Sequence, residues 1–160
     1  QYKAVITKGK DTFEHVFEVR NDASTGLSES DIALKHDTTM KMYNMTEELA
    51  YMVYELNAYY ESLKDKDKKL ANKLNELKET LVITTGDNYV GSAEPQLREK
   101  MADLYSKIAS SYDKPSNAEL ESLKVIEERF EDAKKTYSKL KKKTKNTQPD
   151  IKTFEEFVSE

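Results

Sequence analysis

Met42-Tyr-Asn-Met45-Thr-Glu-Glu-Leu49-Ala-Tyr-Met52-Val-Tyr-Glu-Leu56-Asn-Ala-Tyr59-Tyr-Glu-Ser-Leu63 decides how this chain folds. Its apolar residues Met42, Met45, Leu49, Met52, Leu56, Tyr59 and Leu63 recur every three or four positions. A helix turns once every ~3.6 residues, so that spacing lays one continuous apolar stripe along a helix. No glycine or proline interrupts the chain between Gly26 and Gly86. Upstream, Ser28-Glu-Ser-Asp31 supplies a hydroxyl that can accept from a free backbone N–H, and acidic residues that suit the positive helix end. The spacing therefore predicts a helix over 29–63, roughly 50 Å long.

Three further stripes follow. Lys64-Asp-Lys-Asp-Lys-Lys69 reads as a polar turn or solvated join, after which Leu70, Leu74, Leu77 and Leu81 predict a second helix ending near Ile83. Residues 84–92 hold two of the four glycines and read as the longest loop. A third helix is expected to open between Ser92 and Pro95, since proline is tolerated in a first turn, and to carry Leu97, Met101, Leu104 and Ile108. Asp113-Lys-Pro115 breaks it. Ser116-Asn-Ala-Glu119 is a capping box and opens a fourth helix with Leu120, Leu123, Ile126, Phe130, Ala133, Tyr137 and Leu140. It frays into Lys141-Lys-Lys-Thr-Lys145, where basic residues match the negative helix end.

Ahead of the helices, Tyr2-Lys-Ala-Val-Ile-Thr7 is β-prone and Thr12-Phe-Glu-His-Val-Phe-Glu-Val-Arg20 alternates with one phase slip. Lys8-Gly9-Lys10-Asp11 between them is a turn in which Gly9 can take a positive φ. The expected organisation is a β-hairpin over 1–20, a linker over 21–27, a helical bundle over 28–143 and a tail over 144–160 with a short helix around Thr153-Phe-Glu-Glu-Phe-Val158. The fold class expected is mainly α: an antiparallel, up-down-up-down four-helix bundle with an N-terminal β-hairpin. Short connections turn neighbouring helices antiparallel. The first helix is expected to project past the middle two and to offer that end to the hairpin.

The composition narrows function. The chain has 160 residues, a formal net charge of -4, 35% charged residues, four glycines, three prolines and no cysteine. So few breakers argue against an all-β architecture. No basic excess exists to neutralise phosphates, which argues against a nucleic-acid partner. No apolar run reaches the ~18 residues of a membrane span. Without cysteine there is no disulfide, thiolate ligand or cysteine nucleophile.

Residues that carry chemistry are sparse. His15 and His36 have no partner at ligand spacing, so no metal or cofactor site is expected. Glu47-Glu48, Glu127-Glu128 and Glu155-Glu156 are adjacent on helices and diverge by about 100°, which suits a solvated face. No Gly-x-Ser-x-Gly and no phosphate loop occurs. No catalytic residue is assigned. Ten tyrosines and no tryptophan is the odd feature. Tyr51 and Tyr54 lie off the centre of the first stripe, so they either cover the bundle edge or form a contact patch, because tyrosine joins an apolar ring to a polar tip. A carbohydrate-binding tyrosine face and a free-standing helical scaffold are the alternatives carried alongside. The open hairpin edge is a second candidate contact and a route to a homodimer.

Tyr2-Lys-Ala-Val-Ile-Thr, Gly9-Lys10, Phe13-Glu-His-Val-Phe-Glu-Val19 and the Pro115-Ser116 helix start, in this order, resemble the C-terminal end of bacterial sortilin-like, BNR-repeat glycosyl-hydrolase-type proteins. In that family a β-propeller and an Ig- or fibronectin-like module precede a helical tail. The resemblance implies that residues 1–20 end such a module, that the chain is a piece of a longer protein, and that any active site lies on the propeller. It further implies a periplasmic or extracellular location and an accessory, non-catalytic role, with the upstream domains as partners.

Overall fold

The computed structural model describes residues 1–20, 22–83, 94–144 and 147–159. The chain is mainly helical and opens with a two-stranded antiparallel hairpin. Strands β1 (Tyr2–Lys8) and β2 (Asp11–Phe17) pair from Tyr2 opposite Phe17 to Lys8 opposite Asp11. That register leaves a two-residue loop, Gly9-Lys10. Gly9 sits at φ +63° and Lys10 does not take a positive φ, the pattern of a type II′ turn. The phase slip resolves onto two faces. Tyr2, Ala4, Ile6, Phe13, His15 and Phe17 share one, while Val16 joins Lys3, Val5, Thr7, Thr12 and Glu14 on the other.

Helix α1 runs over Glu29–Leu63, α2 over Lys68–Leu81, α3 over Leu97–Ser110, α4 over Asn117–Lys141 and α5 over Phe154–Val158. The starts are chemically fixed. Ser28 accepts from the Asp31 N–H and Asp31 reaches back to the Ser28 N–H; Ser116 and Glu119 repeat the exchange for α4, and Thr153 and Glu156 for α5. Asp67 caps α2 by accepting from the Leu70 N–H. Helix α3 opens later than expected: Gln96 occupies the cap position with Glu99 in reply, and Pro95 stays outside the helix. Helix α2 stops at Leu81 with Val82 extended. The predicted loop at 84–92 lies outside the described residues.

The stripes meet in one core. Met42, Leu49, Met52, Leu56 and Leu63 of α1 join Leu70, Leu74 and Leu81 of α2, Leu97, Met101 and Ile108 of α3, and Leu123, Ile126 and Phe130 of α4. Met45, expected in the stripe, is only partly buried against it. Each fully buried Leu-sized side chain stabilises by ~1.5–3 kcal/mol, the force that holds the helices together.

The up-down-up-down order does not describe how they are arranged. Helix α2 folds back along the C-terminal half of α1, where Lys78 bonds Asn57 at 3.1 Å. Helix α3 runs along the N-terminal half, ending where Lys35 donates to the Ser111 carbonyl and Lys114 meets Asp31 at 2.8 Å. Leu81 and Leu97 line one groove with Ala133 and Leu140, so α3 continues in the direction of α2. Helix α4 then returns parallel to α1. Lys41–Glu127, Glu48–Lys134 and Glu55–Lys141 join the two helices at successive heptads, each pair 86 residues apart. The chain thus makes three passes, the middle one in two pieces. A 35-residue helix is about 52 Å long and accommodates two 14-residue helices of about 21 Å end to end. Only short loops force reversal, and the 82–96 connection is long enough to preserve direction.

Helix α1 does not project past the middle helices as expected, and its N-terminal end does not receive the hairpin. That end is flanked by the end of α3, and the hairpin's large apolar side chains are all exposed.

Candidate functional site

Tyr51 and Tyr54 are three residues apart on α1 and so share a face. The tail of the same chain covers them. Residues 142–144 close α4 with a 3₁₀ turn, and the chain returns to place α5 against α1. Phe154 and Phe157, also three apart, meet the tyrosines. Tyr51 packs edge-on against both, with ring centres 5.4 Å and 5.5 Å away, and Tyr54 stacks on Phe157 at 5.1 Å. The backbone before α5 is gripped as well. Tyr51 donates its hydroxyl proton to the Lys152 carbonyl at 2.9 Å, and the Lys152 N–H donates to the Tyr54 hydroxyl at 3.1 Å. Ile151 packs against the main core.

Beside this aromatic cluster lies Glu55, 4% exposed. A buried carboxylate is costly unless both oxygens find donors. Here Tyr137 donates to Oε2 at 2.7 Å and Lys141 to Oε1 at 2.5 Å. The Lys141 ammonium also lies 5.5 Å from the Tyr137 ring centre. Burial first, and then the hydrogen bond to Glu55, push the Tyr137 hydroxyl far up. The Tyr51 hydroxyl is raised too, chiefly by burial and next by the Glu55 charge. Both phenols therefore stay protonated donors through the neutral range. A cleft of about 470 Å³ between α1, α4 and α5 is lined by Glu48, Tyr51, Met52, Glu55, Lys134, Tyr137 and Phe154. A sugar ring stacking on Tyr51 and Tyr54 would first have to displace α5.

The other residues singled out in the sequence are scattered. His15 and His36 are exposed, one in the hairpin and one on α1. Of the adjacent glutamates, Glu48 pairs with Lys134, Glu127 with Lys41, and Glu156 caps α5. Lys141 leaves its basic run to neutralise Glu55. Among the described residues no group of three or more His, Asp or Glu could hold a metal ion. No described helix is long and apolar enough to cross a membrane.

Sequence reasoning missed Glu55, Tyr137, Lys141, Phe154 and Phe157 as members of this site. Two signals were present. Positions 41, 48 and 55 oppose 127, 134 and 141 in charge at heptad spacing, and Thr153-x-x-Glu156 is a capping box ahead of a Phe-x-x-Phe pair. No protein-family model, curated protein or solved structure matches this chain.

Proposed function

We propose that this chain is a non-catalytic interaction module, in which a helical rod carries a β-hairpin that docks on a β-structured partner. The observation that carries this reading is the hairpin face bearing Tyr2, Ile6, Phe13 and Phe17. Ile6 is 64% and Phe13 58% exposed, with Tyr2 and Phe17 stacked beside them at 6.0 Å. A clustered apolar strand face marks an interaction site, and a lone hairpin is marginal in water. Among the described residues no further strand pairs with either outer edge, and an open edge offers unpaired N–H and C=O groups to another sheet. In the setting implied by the family resemblance, the partner sheet is the Ig- or fibronectin-like module of the same polypeptide. The rod then serves as an accessory to a sortilin-like glycosidase-type protein in the periplasm or outside the cell.

Hydrogen exchange tests it. The chain alone is compared with the chain joined to whatever its gene encodes ahead of Gln1. Expected are hairpin amides that exchange rapidly alone and at least ~100-fold more slowly in the longer protein, while the α1 amides are unchanged. Equal hairpin exchange in both proteins would overturn the reading. So would a dimer that protects the hairpin of the chain alone, since the edge would then serve self-association.

A further inference from the structure

The tail is bound to α1 as a ligand is bound to a receptor. Its recognised part is eight residues, Ile151 to Val158. Two tyrosine hydroxyls meet the N–H and the C=O of one residue, Lys152, two phenylalanines three apart fill the aromatic surface, and Thr153 and Glu156 complete the helix start. Five residues are too few to hold a helix in water, because nucleation costs more than so short a helix returns. Helix α5 therefore depends on α1, whereas α1 is held by α2 and α3 independently of the tail. Phe154 and Phe157 are only partly buried, so the aromatic contact reaches the surface, where a competing segment can approach.

From this we infer that the Tyr51–Tyr54 face of α1 is a recognition groove for a short helical protein segment with two aromatic residues three apart, and that residues 151–158 are its resident, exchangeable occupant. The partner is a segment of the tail's own chemistry: a residue whose backbone N–H and C=O meet the two hydroxyls, a helix cap, then aromatic-x-x-aromatic. Displacing the tail uncovers both tyrosine rings and the mouth of the Glu55 cleft. This groove lies on α1, apart from the hairpin, so its test is independent of the hairpin reading.

The probe is a fluorescent synthetic peptide of residues 148–159, Gln-Pro-Asp-Ile-Lys-Thr-Phe-Glu-Glu-Phe-Val-Ser. It is titrated into the full chain and into the full-length Phe154→Ala, Phe157→Ala variant, whose own tail no longer fills the groove. Expected is binding to the variant at least ~10-fold tighter than to the unaltered chain, lost when Tyr54→Ala is added. Absence of binding to a variant that keeps its helical circular dichroism and melting temperature would overturn the inference. So would equal binding to both proteins. Should the variant fail to fold, hydrogen exchange on the unaltered chain decides. The Lys152 and Phe157 amides are expected to exchange at least ~100-fold faster than that of Met52, as a separately opening tail requires. Equal rates would mean that the tail leaves only on global unfolding, and the groove would not be exchangeable.

Discussion

Asp31 closes the start of α1 and ties it to the α3–α4 turn at the same end of the rod. One oxygen accepts from the Ser28 hydroxyl at 2.7 Å and the Ser28 N–H at 3.3 Å, and the other accepts from Lys114 at 2.8 Å. The Lys114 hydrogen bond, with that of Ser28 next, holds the Asp31 carboxyl down at about 2, from 3.8. A carboxyl lowered on folding stabilises fully above its ordinary value and loses that contribution as pH falls through the lowered one. Melting temperatures should therefore drop between about pH 4 and pH 2, and Asp31→Asn should start lower at pH 7 and fall less over that window. Identical falls in the two proteins would remove Asp31 as the cause. Its cap was legible in Ser28-x-x-Asp31, because partners three residues apart are visible locally. Lys114, 83 residues away, was not, and although Tyr51, Tyr54 and the short helix around 153–158 could each be singled out, nothing local joined them, since they lie about 100 residues apart.

Between elements, the three charge pairs decide how α1 lies against α4. Laid parallel, Lys41 meets Glu127, Glu48 meets Lys134 and Glu55 meets Lys141. Laid antiparallel over the same residues, Lys41 would face Lys141 and Glu55 would face Glu127, so the charges select the observed direction by penalising the other. In the Lys41–Glu127 and Glu48–Lys134 pairs one member is exposed and the other half-buried, and water still screens them, so each is individually weak. Glu55 is the buried member. Glu55→Lys should cost about 3 kcal/mol or more, since it buries like charges. Adding Lys141→Glu should restore about 1–2 kcal/mol of that, the coupling expected of residues in contact. Urea denaturation of the two single variants and the double variant measures this coupling, and strict additivity would show that the pair does not set direction. Helix identities were readable because periodicity is a local property: the stripes, the hairpin and the caps needed no tertiary information. Helix order was not readable. Loop length settles direction only when the loop is short, and the 82–96 connection is not.

At the scale of the molecule, three passes have a different consequence from four. The chain enters the rod at Ser28 and leaves α4 at Lys141, near the opposite end from where it entered, while the α3–α4 turn at Tyr112 lies back beside the entrance. The exposed hairpin hangs from the entrance and the tail folds back from the exit. Optical tweezers with handles at positions 28 and 142 would load the helices lengthwise, so the packed leucines resist together. Handles at 28 and 112 would peel the helices apart from one end, one contact after another. The first geometry should rupture in one event at clearly higher force than the second, and equal forces would contradict the three-pass arrangement. A body threaded in this way behaves as a tension member: strain arriving along the backbone is shared by its whole length, whereas an even-numbered hairpin bundle would unzip from one end.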